Sequence, residues 1–395
     1  MKIGLERLRD NPDISKSWGR CGLLCNQASV TRDFQAAWDV VHNILGERLT
    51  CYFGPQHGFH ATVQDNMIET NHSEGPHGLK LYSLYSETRE PTEEMVENLD
   101  TFLIDIQIVG CRVYTFKYTI AACLRAAKKF NKKVVILDRP NPIGGSYVEG
   151  NVLDLAAKSF VGEFEIPLRH GLTSGEAGVL FNQKVGADLE VIQMESWEPK
   201  SIWTQNHFKW VLTSPNLPDP NSVFVYPATV MFEGTNVSEG RGTGLPFQFI
   251  GAPFLDSETY TKRVRELYSN DRGVYLRPAE FQPTSQKWAG KVCYGLQIHI
   301  LDPFQIETFK LGLSLLKAAI EIGGDKFQWA QPPYEYDFEN LPINLILGNL
   351  SADTWVKEYE GHINDNWNFG IDDYLSKVEG VLLYEREMQN LSFSR

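Results

Sequence analysis

Four short, almost wholly apolar runs recur through the first 140 residues: 21–25, 49–53, 102–106 and 133–137. Each is long enough for a buried strand and too short for a buried helix. Helical spacing fills the intervals. Phe34, Ala37, Trp38, Val41 and Leu45 trace one apolar face that stops at Gly46. A short helix is expected over 92–99 behind Thr92, and another over 119–130, with Lys128 and Lys129 in the last turn where cations suit the helix dipole. Apolar strands separated by helices point to a parallel sheet covered on both faces, hence an α/β fold.

The rest of the chain is less regular. Residues 54–91 read as a long loop. Thr173-Ser174-Gly175-Glu176 is a capping box before a helix reaching about Gln183, and 188–194 reads as a strand. Proline-rich and glycine-rich loops cover 214–220 and 233–244. Beyond 245 the texture changes: 292–300 alternates as a half-solvated strand does, Asp302 caps a helix over 304–322, and a last helix is expected over 371–388. The expected division is a large domain over 1–244, carrying the site, and a smaller α+β auxiliary domain over 245–395.

Charge and composition remove several functions. A net charge of −13, from 37 basic and 50 acidic residues, leaves no basic face for nucleic acid and no cationic run for an anionic membrane. No stretch approaches the ~18 apolar residues of a membrane span, and the first ten residues lack the apolar core of a signal peptide. Cys21, Cys25, Cys51, Cys111, Cys123 and Cys293 lie mostly in apolar runs and are expected as buried free thiols, which suits the cytoplasm. There is no dinucleotide fingerprint after the first strand, no phosphate loop ending in Gly-Lys-Ser/Thr and no Gly-x-Ser-x-Gly elbow. His57, His60, His72 and His77 lack the spacing of a metal-ligand set, so neither metal nor cofactor is expected.

Ligands of open parallel sheets bind beyond the carboxyl ends of the strands. Here those ends are polar. The first strand delivers Asn26 and Gln27, and the second Gln56, His57 and Phe59. The third delivers Asp105, Gln107, Arg112 and Tyr114, and the fourth Asp138, Arg139 and Asn141. Amides, acids and guanidinium groups recognise hydroxyls and amides. With the flat faces of Tyr82, Tyr85, Phe59 and Tyr114, they suggest a sugar-like ligand. Arg112, Arg139 or Arg241 is suited to grip a carboxylate bidentately. The run 138–142 also fits a rigid turn with a local ion pair.

The motifs are Gly22-Leu23-Leu24-Cys25-Asn26-Gln27, Phe53-Gly54-Pro55-Gln56-His57-Gly58-Phe59, Tyr82-Ser83-Leu84-Tyr85, the run 105–115, Leu137-Asp138-Arg139-Pro140-Asn141-Pro142, Arg169-His170-Gly171-Leu172-Thr173, Ser214-Pro215-Asn216 and the run 233–243. In this order they make the sequence, from about Gly4 to about Leu316, resemble the NamZ (YbbC-like) family of exo-β-N-acetylmuramidases. The resemblance implies a Rossmann-like domain with a C-terminal auxiliary domain. It also implies release of N-acetylmuramic acid from the non-reducing ends of peptidoglycan fragments, as in peptidoglycan recycling. The implied rim is Asn26, Tyr85, Asp105, Arg112, Tyr114, Asp138, Arg139, Asn141, His170, Asn216, Glu233, Asn236 and Arg241, around the loop holding Gln56 and His57.

The chain departs from that family at one position. The family pattern reads Gly-Pro-Glu-His-Gly, with the Glu resembling a catalytic carboxylate, and here the position is Gln56. His60 and Ala61 also replace the usual Arg and Gly after the Phe. An amide cannot deliver a proton, and a positioned general acid contributes ~10²–10⁴-fold. Expected substitutes are Glu239 above all, then Glu69, Glu74, Glu87, Glu90 and Glu233, with His57 as a further donor. The leading expectation is a glycosidase of altered chemistry acting on a small amino-sugar or muropeptide-derived ligand. A non-hydrolytic amino-sugar-binding protein is the alternative. A sugar-phosphate or nucleotide enzyme using the loop 240–244 is the third.

Overall fold

Each of the four apolar runs forms a strand. The computed structural model describes residues 1–64, 67–206, 208–358 and 369–391. In chain order the strands are β1 (Cys21–Cys25), β2 (Leu49–Gly54), β3 (Ser73–Glu74), β4 (Lys80–Ser83), β5 (Thr101–Asp105), β6 (Lys133–Leu137), β7 (Tyr147–Val152), β8 (Pro167–Arg169) and β9 (Asp188–Ile192). Seven of them build one sheet in the order β3-β4-β2-β1-β5-β6-β9, parallel except for β3. Leaving out β3, this is the Rossmann order, with its topological switch between β1 and β5. β1 and β5 are buried along their whole length, and the helices Ala37–Leu45, Phe116–Phe130 and Ser174–Val185 cover the faces.

The loop expected over 54–91, which includes residues 65–66 outside the described set, contains a strand that periodicity did not reveal. β4 is four residues long, begins with a lysine and adds to β2 in parallel. Its pairing extends the sheet and brings Tyr85 to the same rim as Gln56. The capping box at Thr173 forms as expected: its Oγ1 accepts from the Glu176 amide at 3.1 Å, and Glu176 returns a bond to the Thr173 amide at 3.0 Å.

The smaller C-terminal domain is built on an antiparallel sheet of β10 (Phe249–Ala252), β11 (Val274–Phe281) and β12 (Cys293–Ile300), packed against helix Ser257–Leu267, which in turn packs on helix Thr308–Gly323. Asp302 caps a single tight turn at Pro303–Gln305, and the long helix starts only at Thr308. The reason is a cap from elsewhere: Glu149 on β7 accepts from the Phe309 amide at 3.0 Å and from Thr308 Oγ1 at 3.2 Å. The last helix is also shorter than expected, Ile371–Val378. Beyond it the chain returns to the large domain, where β13 (Gln389–Asn390) pairs with β7 and Arg386 grips Glu176 with two bonds of 2.6 Å. The expected division at residue 244 falls in the turns before β10. Among the described residues no helix is long and apolar enough to cross a membrane.

One ion pair ties the strand ends together below the rim. Arg139, after β6, meets Asp105, the last residue of β5, through Nε at 2.5 Å and Nη2 at 2.8 Å, and both side chains are inaccessible to solvent to within 1%. Removing one partner strands a charge in the interior, which costs about 3–5 kcal/mol. Asp105→Asn is therefore expected to lower unfolding stability by that amount in urea titration, and an unchanged midpoint would contradict the pair's structural role.

Candidate active site

The loop after β2 is held from several sides. The Leu84 amide bonds to the Gly54 carbonyl at 2.8 Å, and the Gln27 amide to the Phe59 carbonyl at 2.9 Å. Phe59 is buried against Trp38 and Tyr52, with ring centroids at 5.0 and 5.8 Å. Gly58, at φ 81°, closes the turn back onto Pro55. His57 is also left-handed, at φ 68°, a conformation uncommon outside glycine. The loop thus offers Gln56 and His57 from a rigid base.

Gln56 has a fixed amide orientation. Thr115, the residue before the helix Phe116–Phe130, donates its hydroxyl to Oε1, which turns Nε2 toward a carboxyl group from the far end of the chain. Nε2 lies 2.8 Å from Glu335 Oε1, and the Tyr85 hydroxyl lies 2.7 Å from Glu335 Oε2. Glu335 is 4% exposed and lines the cleft. Burial raises its pKa above the ordinary carboxyl value. The bonds from Tyr85 and Gln56 and the charge of Arg89 pull it back in part, and the neighbouring charge of Glu233 adds to the rise.

The turn that presents Glu335 is strained. Tyr334 and Asp337 exchange backbone bonds of 2.9 and 3.0 Å, and the two residues between them, Glu335 and Tyr336, have φ of 46° and 67°. Positive φ at both central positions is the habit of a type I′ turn, normally Asn-Gly. Here the contacts of the two side chains hold it: Glu335 as above, and Tyr336 against Arg89, whose guanidinium is 4.0 Å from the ring centroid.

A charged cluster reaches the cleft through Glu233 and Arg241. Arg241 bonds through Nε to Glu239 and lies 3.8 Å from Glu233. Glu233 also accepts from the Tyr334 hydroxyl at 2.7 Å, and Lys287 reaches Glu239 at 2.9 Å. The two cations outweigh burial and hold the Glu239 carboxyl down at about 2. Tyr114, Tyr226, Phe247 and Tyr334 supply flat apolar faces to the cleft.

The structure brings Gln56, His57, Tyr114, Asn216, Glu233 and Arg241 together in this cleft, with Tyr85 one contact behind. The other expected rim residues lie beneath or beside it and are bound to protein partners. Asn26 bonds to the Thr213 carbonyl at 3.1 Å, and Asn141 to the Leu172 carbonyl at 3.1 Å. Arg112 is fully buried and donates to the carbonyls of Asn151, Ile166 and Ile346. Asp138 accepts from Thr173, Tyr384 and the amides of Arg139 and Gly175, and burial pushes its pKa up to about 7. His170 is buried, its Nδ1 accepting from the Leu172 amide. Asp105 and Arg139 hold each other.

Glu239, expected first among the substitute proton donors, is paired with Arg241 and Lys287, which favour its ionised form. Glu69, Glu74, Glu87 and Glu90 are exposed. Asn236 fastens the segment that leads to Glu335, bonding to the Lys326 carbonyl at 2.8 Å and the Gln328 amide at 3.0 Å. The glycine loop is closely packed: a Cβ on Gly242 would lie 2.4 Å from the Ser285 carbonyl oxygen. Among the described residues no three His, Cys, Asp or Glu side chains gather to hold a metal ion.

Sequence reasoning missed Thr115, Tyr226, Phe247 and above all Glu335. The available signal was a carboxylate between two tyrosines behind Pro332-Pro333, beyond the last motif considered.

Comparison with known proteins gives a consistent picture. The family model described as "Exo-beta-N-acetylmuramidase NamZ, N-terminal" matches residues 21–221, and its C-terminal counterpart matches 224–384. The peptidoglycan β-N-acetylmuramidase NamZ of Bacillus subtilis (strain 168) is 40% identical over 388 residues, covering 97% of this chain and 88% of that protein. A crystal structure of a DUF1343 family protein from Bacteroides fragilis superposes with a TM-score of 0.86 at 28% identity, covering 97% of this chain and 99% of that one. A second protein of that family and organism gives 0.74 at 26% identity, covering 98% and 99%.

His57 offers a direct check of the site's polarity. Its Nδ1 lies 2.8 Å from the Val63 carbonyl, an acceptor only, so Nδ1 carries the proton and Nε2 a lone pair. Burial lowers its pKa to about 4, the Val63 bond opposing this and the Arg241 charge adding to it. A lowered imidazole pKa keeps the ring neutral down to that value. Imidazole nitrogen NMR is expected to show the Nδ1–H tautomer throughout pH 5–8, and titration with a midpoint near 6.5 would contradict the geometry.

Proposed function

The chain belongs to the NamZ family of exo-β-N-acetylmuramidases, and on that premise we propose that it releases N-acetylmuramic acid from the non-reducing ends of peptidoglycan fragments, as part of amino-sugar recovery in the cytoplasm. The observation that carries this reading is the cleft itself. It combines carboxyl groups, aromatic faces and the guanidinium of Arg241 at the carboxyl ends of β2 and β5. N-acetylmuramic acid is a sugar bearing a carboxylate. Of the three arginines considered, Arg112 and Arg139 are bound to carbonyls and to Asp105, and Arg241 lines the cleft. The six cysteines are buried and free, which fits a reducing compartment.

The second reading is a protein that binds the same sugar without cleaving it: the resemblance puts a catalytic carboxylate where this chain has Gln56, which cannot ionise. A chromogenic β-N-acetylmuramide separates the two. Release of the chromophore above background supports the enzyme. Calorimetric binding of the disaccharide without release supports the binding protein, and absence of both removes both.

Arg241→Lys keeps the charge and loses the planar fork. A charge-assisted hydrogen bond is worth about 1.5–3 kcal/mol, so calorimetry is expected to show at least tenfold weaker binding of N-acetylmuramic acid. The corresponding sugar lacking the lactyl carboxylate should bind this variant and the parent protein alike. Equal weakening for both sugars would contradict the pairing.

A further inference from the structure

We infer that Glu335 is the proton donor of this site, delivered across the domain junction by its strained turn and oriented by Gln56 and Tyr85. The assignment rests on the glycosidase reading above. Three observations carry it. Glu335 lines the cleft while 4% exposed, so it reaches the cleft from a buried position. Both its oxygens are located by neutral donors, Gln56 at 2.8 Å and Tyr85 at 2.7 Å, and among the described residues no cation is in bonding contact. The backbone under it occupies positive φ at two successive non-glycine residues, a conformation that persists where side-chain contacts over-determine it and that clusters at functional sites.

The other groups in and behind the cleft are poorly placed to donate. Glu239 does not line the cleft and is paired with Arg241 and Lys287. Glu233 accepts from Tyr334 and faces Arg241. His57 is held neutral with its one proton directed at a carbonyl. Of the two carboxyl groups that line the cleft among the described residues, Glu335 and Glu233, burial raises the pKa of Glu335, as a general acid requires.

In the step assigned, Glu335 gives its carboxyl proton to the glycosidic oxygen as the C1–O bond breaks and the electron pair leaves with that oxygen. Water then supplies hydroxyl to C1, and its remaining proton returns to the Glu335 carboxylate. Gln56 is a positioning residue: its amide holds Oε1 while Tyr85 holds Oε2.

The test compares kcat/KM for a sugar-linked N-acetylmuramide with that for a nitrophenyl N-acetylmuramide, whose leaving oxygen needs little protonation. Glu335→Gln is expected to lose ~10²–10⁴-fold on the sugar-linked substrate and less than tenfold on the nitrophenyl one. A general acid works only while protonated, so wild-type activity on the sugar-linked substrate should fall as pH rises through the raised pKa of Glu335. Titratable and charged groups acting on that carboxyl are Tyr85, Arg89 and Glu233, and His57 lines the same cleft. With the nitrophenyl substrate this basic limb should flatten. That comparison needs no variant. Equal activity of Glu335→Gln on the sugar-linked substrate, or the same basic limb for both substrates, overturns the assignment and leaves the glycosidase reading standing. Wild-type protein that cleaves neither substrate overturns both.

Discussion

The hydrogen bond from Gln56 to Glu335 joins residues 279 positions apart. It sets an amide on the large parallel sheet against a carboxyl on a turn outside that sheet. Everything around it serves to bring those two atoms to 2.8 Å. The loop after β2 is pinned by Phe59, the amide is oriented by Thr115 at the start of the helix Phe116–Phe130, and Tyr85 arrives from the end of β4. Two strand ends of one sheet and the start of a helix that covers it thus converge on a group that the sheet does not supply. A site of this kind exists only when both parts of the chain are folded and docked.

The polar residues at the strand ends play two different parts. Asp105, Arg139, Asp138, Asn141 and Arg112 are buried and satisfied by protein, and they fix how β5 and β6 end and how the following loops leave the sheet. Gln56, His57, Asn216, Glu233 and Arg241 face the cleft. The first group gives the second its rigidity, which matters because catalytic and binding geometry tolerates little displacement. Glu239 belongs with the supports: it anchors Arg241 and is held ionised for that purpose.

The fold was legible where burial leaves a strong mark on composition. β1 and β6 coincide with the apolar runs at 21–25 and 133–137, because strands covered on both faces can hold little else. β4 was not, since a four-residue strand beginning with Lys80 carries no periodic signal and its existence depends on β2 beside it. The site was legible at Gln56 and His57 because topology dictates where the loop after β2 must lie. Glu335 was not, because its significance is a contact and no local pattern encodes it. Nor does residue type alone tell Arg139 from Arg241: only the position of Asp105 shows that one of them is a strut.

A crystal structure with a thio-linked disaccharide, in which sulfur replaces the oxygen to be protonated, tests the placement of the acid most directly. The sulfur is expected within hydrogen-bonding reach of a Glu335 carboxyl oxygen, with Gln56 still bonded to that carboxyl and the sugar ring against Tyr114 or Tyr226. A ligand whose sulfur lies against Glu233 or another carboxylate, or one bound away from this cleft, would contradict it.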